Sequence, residues 1–244
     1  MFAKFRITLT LLATIAGALT AHAEELDATE LVERMSAEIA SLGAFAVQGD
    51  AYADARLDAG QIIEHSSQVT LQLRRKPSAI RISNRSAEDT KEIYFNDGAV
   101  NVYSTAENFY ARAEIPEGVD SMLDFAIDDI GIESPMLDLI AADVADDLLT
   151  DRESISYLGT SLIRDKVYHH VGIRYPDTDV QVWIASEGRP LPGKLAISSK
   201  WEGGAPRFVA FFEWDTDPEF AQDAFTFDPP DGAVQIDFAD KVTH

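Results

Sequence analysis

The feature that most constrains the fold of this chain is a long period-two alternation over residues 45–73. Small or apolar residues alternate with mostly polar ones over 45–57, and a second run over 63–73 repeats the pattern. Such alternation places every second side chain on one face of a strand. Asp58-Ala59-Gly60 separates the two runs and is typical of a tight turn. At about 3.4 Å per residue, the sequence predicts two antiparallel strands of roughly 40 Å, long enough to curve around other elements.

An amphipathic helix is predicted just before these strands, over residues 27–42. Its apolar residues recur at helical spacing on one face: Leu31, Met35, Ile39 and Leu42. Asp27 and Glu30 resemble a capping box at the start of this helix. Gly43 follows its last turn, so we expect a glycine cap there.

Shorter strands follow on both sides of a helical insert. Before the insert, strands are predicted at 79–84, 92–96, 99–104 and 108–113. After it, strands are predicted at 155–163, 167–175, 180–185, 194–201, 207–214, 225–228 and 234–238. Asp97-Gly98 is a strong hairpin signal between two of the early strands. The sequence predicts a mainly β (α+β) chain of about eleven antiparallel strands in a single domain over residues 24–244.

The helical insert is predicted over about residues 116–151. One face of its first helix is apolar and consists of Val119, Met122, Leu123, Ala126 and Ile130. Asp120, Asp124 and Asp128 share another face. Ser134-Pro135 is typical of a cap with a first-turn proline and opens a helix over 136–142, and a further short helix is expected over 143–150.

Residues 1–23 have the features of a cleaved secretory signal. Lys4 and Arg6 precede an uncharged apolar stretch, and Ala21-His22-Ala23 offers the small-x-small pattern that a signal peptidase cuts. The apolar stretch is shorter than the roughly 20 residues of a transmembrane helix. We therefore expect export, with the mature protein beginning at about Glu24.

The charge of the chain restricts its partners. Its 42 acidic and 20 basic residues give a net charge of −22, and Lys4 and Arg6 are the only charged residues of the signal. Nucleic acids and anionic membrane surfaces require basic patches, so neither is an expected partner. The chain has no cysteine, which excludes disulfides and the lipid-anchored cysteine of bacterial lipoproteins. We expect a soluble, unanchored monomer that is not embedded in a membrane.

Residue patterns typical of catalysis are missing. His169 and His170 are adjacent in a predicted strand and point to opposite faces, so they do not share a metal ion. Acidic pairs such as Asp146-Asp147 are more typical of a solvated helix face than of a cation site, because no loop has the calcium-binding spacing. There is no Gly-x-Ser-x-Gly elbow and no glycine-rich phosphate loop. The sequence predicts no enzymatic activity, no metal and no cofactor.

Several segments, taken in order, resemble the LolA-type superfamily, whose members include lipoprotein carriers. They are a basic-Pro element at 74–77, the hairpin segment 95–103 and the Phe-Thr-Phe-x-Pro-Pro-x-Gly segment 225–232. Residues 108–111 and 189–195 are similar to a family of predicted periplasmic proteins grouped with that superfamily. The resemblance covers nearly all of residues 25–238. It implies periplasmic localisation and an unclosed antiparallel β-barrel with helices as a lid over a hydrophobic cavity.

The resemblance also implies candidate site residues. In LolA-type carriers an arginine just before the proline of the basic-Pro element latches the lid by hydrogen bonds. Lys76 stands at that position here and Arg75 one residue earlier, so both are latch candidates. The residues predicted to line the cavity are Val69, Leu71, Ile80, Ile82, Tyr103, Met122, Phe125 and Trp183. The same residues fit a closed, packed core, and both interpretations stay open.

Two functional hypotheses follow. The first is a periplasmic binding or carrier protein that transports a lipid or an acylated ligand in an apolar cavity. Burial of an acyl chain gains about 0.8 kcal/mol per CH₂, so an apolar pocket alone can hold a lipid. The second is an envelope sensor or interaction module that docks a basic protein partner through the acidic strip Asp120, Asp124 and Asp128.

Overall fold

In the residues that the structure, a computed structural model, describes, the protein consists of one large sheet with three helices. The structure describes residues 26–96, 98–115, 118–128, 137, 139–141, 143–200 and 206–238. The helices are α1 (Ala28–Ser41), α2 (Val119–Asp128) and α3 (Val144–Leu149). The predicted signal at 1–23, the Ser134-Pro135 cap and residues 136, 138 and 142 of the predicted helix at 136–142 lie outside the described residues.

The described strands form a single open sheet. They are β1 (Ala44–Arg56), β2 (Ile62–Arg75), β3 (Ser78–Arg85), β4 (Thr90–Asn96), β5 (Ala99–Ser104), β6 (Phe109–Glu114), β7 (Ser154–Ile163), β8 (Lys166–Arg174), β9 (Thr178–Ala185), β10 (Pro192–Ser199), β11 (Arg207–Asp215) and β12 (Val234–Ile236). Their order is β12-β6-β5-β4-β3-β2-β1-β11-β10-β9-β8-β7. Neighbours are antiparallel except β12 and β6, which are parallel. The predicted unclosed antiparallel sheet is confirmed, with twelve strands where about eleven were expected.

The long hairpin predicted from the period-two pattern is confirmed in position and register. Phe45 pairs with Leu73 and Val47 with Leu71, so the apolar sets of β1 and β2 share one face of the sheet. Gly60 has a positive φ of 84° in the connecting turn, a conformation that glycine adopts without strain. The hairpin thereby supplies the middle of the sheet, from which the other strands extend on both sides.

Helix α1 begins as predicted and ends differently. The carboxylate of Asp27 accepts a hydrogen bond from the backbone N–H of Thr29 at 2.8 Å, which makes Asp27 the N-cap. The predicted glycine cap is wrong, because Leu42 is the C-cap and has extended backbone angles. Gly43 is not among the glycines with positive φ, so the chain passes directly from the helix into β1.

The predicted strand at 225–228 is wrong as well. Among the described residues after β11, only Val234–Ile236 form a strand. Phe225 is buried beside Arg74 and Phe220, and Phe227 packs against Tyr94, Tyr103 and Tyr110. The alternation of this segment therefore reflects aromatic side chains docked onto the sheet, and Pro229-Pro230 lack the N–H groups that a strand ladder needs.

The two faces of the sheet carry different layers. The inner face, defined here as the face that carries the helices, holds the main hydrophobic core, to which α1 contributes Leu31, Val32, Met35 and Ile39. The outer face carries a smaller cluster of Tyr168, Trp183 and Ala196. Burial of apolar surface between the helices and the inner face is the main stabilising contribution to this fold.

Two predicted cavity residues belong to the outer face, and their assignment to a cavity under the helices is corrected. Trp183 stacks on His170 with ring centroids 4.2 Å apart. Tyr103 packs on Phe227, and its hydroxyl donates to Asn108 at 2.9 Å. The neighbouring residue Val182 belongs to the main core, and Val102 packs against it. Because side chains alternate along a strand, Tyr103 and Trp183 point away from it.

A candidate ligand cavity with an acidic mouth

A cavity of about 700 Å³ lies between the helical insert and the inner face of the sheet. Its floor consists of Val180 from β9 and of Leu195 and Ile197 from β10. The opposite wall consists of Leu123, Leu137, Leu139, Val144 and Leu148. Ligand pockets commonly have volumes of about 300–1,000 Å³ and mainly apolar walls. The size and lining of this cavity therefore suit an apolar ligand or the apolar part of an amphiphile.

The period-two pattern explains the floor of the cavity. Val182 pairs with Leu195 and Val180 with Ile197 across β9 and β10. Val171 and Ile173 continue the same face in β8. An uninterrupted apolar surface therefore extends under the insert across three strands.

Helix α3 is held over this floor by two hydrogen bonds from other elements. The Ser36 hydroxyl of α1 accepts from the backbone N–H of Ala145 at 3.0 Å, which satisfies a donor in the first turn of α3. At its other end, the Tyr175 hydroxyl donates to the carbonyl oxygen of Leu148 at 2.8 Å. The short helix is thus tied to α1 at its N-terminus and to the end of β8 at its C-terminus.

The mouth of the cavity is acidic. Four carboxylate residues line it, namely Asp124, Asp147, Asp151 and Asp177. No lysine, arginine or histidine is among the described lining residues. The site therefore combines an apolar interior with a negatively charged entrance.

Two groups at the mouth have shifted pKa values. Desolvation raises the pKa of the Asp147 carboxyl, and the negative charges of Asp146, Asp143 and Asp124 raise it further. Burial also raises the pKa of the Tyr175 hydroxyl, which Arg152 opposes. The three neighbouring carboxylates add negative potential at the entrance.

The two latch candidates have different environments. Arg75 donates from Nε to the carbonyl oxygen of Leu42 at 3.1 Å and from Nη2 to that of Ile39 at 3.4 Å. Burial lowers the pKa of its guanidinium, and the nearby carboxylate of Asp120 in α2 raises it. Lys76 is exposed. A latch between the sheet and the helices therefore fits Arg75 better than Lys76, and its role in ligand exchange stays a prediction.

The structure places the remaining predicted cavity residues in the packed core. Val69, Leu71, Ile80, Ile82 and Met122 are buried in the main cluster, and Phe125 packs against it. None of them lines the 700 Å³ cavity. Sequence reasoning missed the β9–β10 floor, although the alternation of Val180 with Val182 and of Leu195 with Ile197 was a usable signal.

The predicted acidic strip divides between two environments. Asp124 lines the cavity mouth, and Asp120 interacts with Arg75. The side chain of Asp128 lies outside the described residues. Docking of a basic partner through these carboxylates stays a prediction.

Histidines and carboxylates form no metal-binding cluster in the described part of the chain. His169 and His170 point to opposite faces as predicted: His169 lies beside Tyr157 and His170 on Trp183. Within the described ranges, no group of three or more histidine, aspartate or glutamate side chains is arranged to hold an ion.

The fold class is mainly β, a curved open antiparallel sheet with a helical layer on one face. The chain belongs to the family described as predicted periplasmic protein (DUF2092), whose profile matches residues 28–239. The predicted family and the predicted periplasmic localisation are thereby confirmed.

Several solved structures are similar in fold. The lipoprotein LppX of Mycobacterium tuberculosis shares 11% identity with a TM-score of 0.48, over 79% of this chain and 96% of that chain. The MucA/MucB complex of Pseudomonas aeruginosa shares 13% with a TM-score of 0.47, over 83% of this chain and 62% of that chain. A LolA superfamily protein of Nitrosomonas europaea shares 12% with a TM-score of 0.38, over 83% and 98%. At these identities the likeness concerns the fold alone.

No curated protein matches the chain. None of the helices in the described ranges is both long and apolar enough to cross a membrane.

Proposed function

We propose that this protein binds a lipid or an acylated ligand in the cavity between the helical insert and β9–β10, as a periplasmic binding or carrier protein without enzymatic activity. The observation that carries the proposal is a space of about 700 Å³ between the insert and the sheet whose walls are mainly aliphatic. Protein interiors leave few voids larger than a water molecule. A space of this size, walled by aliphatic side chains, therefore supports a ligand-binding role.

The gain from filling the space is large enough for binding. A chain of 14 carbons, fully buried, gains about 11 kcal/mol before the costs of association are subtracted. Val180, Leu195 and Ile197 provide the apolar contacts on the sheet side. No directional polar contact is needed for affinity of this kind.

A lid that opens is also supported. Helix α3 has only six residues, and its ends are tied by the single hydrogen bonds from Ser36 and Tyr175. Isolated helices of this length are unstable in water, so their position depends on tertiary contacts. Opening requires breaking these two hydrogen bonds and the core packing of Val144, and it leaves the strand pairing of the sheet intact.

The test uses a neutral fluorescent monoacylglycerol and two tryptophan variants of the same strand. Ile197→Trp fills the floor of the cavity, whereas Ser198→Trp places an equal side chain on the opposite face of β10. We expect the wild type and Ser198→Trp to bind the probe and Ile197→Trp to lose at least about ten-fold in affinity. Leu148→Trp fills the cavity from the helix side and serves as a second blocking variant.

Native mass spectrometry of protein purified from periplasm identifies any ligand that copurifies. A wild type that carries nothing and does not take up the probe would overturn the proposal. Binding that both blocking variants retain while folded, as judged by circular dichroism, would place the ligand elsewhere and would equally overturn it.

A further inference from the structure

The charge at the cavity mouth discriminates between classes of amphiphile. Asp124, Asp147, Asp151 and Asp177 reach the cavity from α2, from α3 and its C-terminal turn, and from the β8–β9 turn. A ligand whose chain occupies the apolar interior must leave its polar end among these carboxylates. An anionic head group would there meet like charges, which weakens binding.

The basic groups closest to the mouth are already engaged. Arg152 donates from Nη1 to the carbonyl oxygen of Leu149. Lys200 donates to the carbonyl oxygen of Tyr175 and forms an ion pair with Asp179 at 2.8 Å. Neither side chain lines the cavity. The carboxylates at the entrance are therefore not neutralised by a lining cation among the described residues.

We propose that the cavity selects amphiphiles whose polar end is positively charged: an alkyl or acyl chain that ends in an amine, a quaternary ammonium group or a basic peptide. The inference rests on the proposed function, because it assigns the head group of a ligand whose chain fills the same cavity. Fatty acids and anionic phospholipids are disfavoured by the same geometry. Desolvation is the main cause of the raised pKa of Asp147, and neighbouring carboxylates raise it further; a nearby positive charge would relieve that second contribution.

The test compares two probes that differ only in head charge, a fluorophore-labelled dodecylamine and the equally labelled dodecanoic acid, at neutral pH and physiological ionic strength. We expect the amine to bind about ten-fold tighter or better than the acid. Each of several partly exposed carboxylates should change the affinity by a factor of about two to five. The double variant Asp124→Asn/Asp147→Asn should reduce this preference about four-fold or more. Asp231→Asn, in the exposed turn before β12, removes one negative charge away from the mouth and should leave it unchanged.

Each alternative outcome has a defined meaning. Equal or tighter binding of the acid overturns the inference, and so does a preference that the double variant retains. Amine binding that Ile197→Trp does not weaken shows adsorption to the acidic surface, and it also overturns the inference. The neutral monoacylglycerol separates the two proposals. A wild type that carries no copurified ligand and binds none of the three probes overturns the proposed function. Binding of the monoacylglycerol with no preference for the amine over the acid overturns only the head-group assignment.

Discussion

Arg75 Nε lies 3.1 Å from the carbonyl oxygen of Leu42, so the end of β2 caps the C-terminus of α1. Helix α1 has no basic residue in its last turn. Without Arg75, the negative end of its helix dipole, formed by the final carbonyls, would have no cation beside it. Arg75 supplies that cation from a position 33 residues further along the chain. The contact joins the helix to the sheet.

Replacement of this arginine should destabilise the protein more than replacement of its neighbour. Arg75→Met keeps an apolar stem and removes both hydrogen bonds to α1, so we expect a loss of about 1–2 kcal/mol in the free energy of unfolding. Lys76→Met, at an exposed position, should change it by less than about 0.5 kcal/mol. Urea unfolding of both variants measures the difference, and equal losses would contradict the capping role.

Ser36 should contribute to stability by holding α3 in place and not by stabilising α1, the helix to which it belongs. Ser36→Ala leaves the backbone N–H of Ala145 without its acceptor in a partly buried position, and we expect a cost of about 1–2 kcal/mol. Amide exchange should accelerate in α3 more than in the sheet, because the lost contact holds only this helix. Ser41→Ala, which removes a local bond from an exposed hydroxyl to Glu38, is the matched control. Unchanged exchange in α3 would show that Ser36 does not hold the helix.

Gly193 is required because Tyr168 packs against its backbone. A Cβ atom at this position would lie 2.2 Å from Cε1 of the Tyr168 ring, which forces the ring out of the outer-face cluster. Gly193→Ala should therefore cost about 1–3 kcal/mol. Gly43→Ala should be close to neutral or slightly stabilising, since no atom lies within 4 Å of its Cβ and its φ is not positive. A large loss of stability in Gly43→Ala would instead support the glycine cap that the sequence predicted.

The sheet was largely predictable because its pattern is local. Alternation over β1 and β2 fixes which side chains share a face of the sheet and how the two strands pair. The predicted hairpin at residues 97–98 joins Asn96 to Ala99 in register. Asp97 itself lies outside the described residues. Alternation alone does not say which face the helices cover when both faces carry large side chains. Tyr103 and Trp183 were misassigned for that reason.

The cavity was harder to predict because it depends on tertiary placement. Leu148 and Val180 line the same cavity because α3 is held above β9, in part by hydrogen bonds with Ser36 and Tyr175. Neither hydrogen bond has a sequence signature, since its partners are separated by 109 and 27 residues. The strand predicted at 225–228 was wrong for the same reason. Phe227 alternates like a strand residue, but it packs on Tyr94 without forming strand hydrogen bonds.

The raised pKa of Asp147 predicts a specific pH dependence. Between its ordinary value of 3.8 and the raised value, the folded protein binds a proton at this carboxyl more readily than the unfolded chain does. Stability contributed by this group therefore falls as the pH rises through that window. At neutral pH the ionised carboxylate is partly desolvated and repelled by Asp146, Asp143 and Asp124, and both effects destabilise the fold. Asp147→Asn should raise the free energy of unfolding at neutral pH, and this gain should shrink as the pH falls towards the ordinary value.

Urea unfolding of the wild type and of Asp147→Asn across this pH range measures the effect as a difference between two curves. The difference cancels the titration of groups that both proteins share, provided that these groups do not interact with Asp147. Asp231→Asn changes the net charge equally, and its free energy of unfolding should depend on pH in the same way as that of the wild type. A gain from Asp147→Asn that stays constant with pH would show that the amide acts through packing and not through removal of the charge. Equal gains in the two variants would assign the effect to net charge rather than to the cavity mouth.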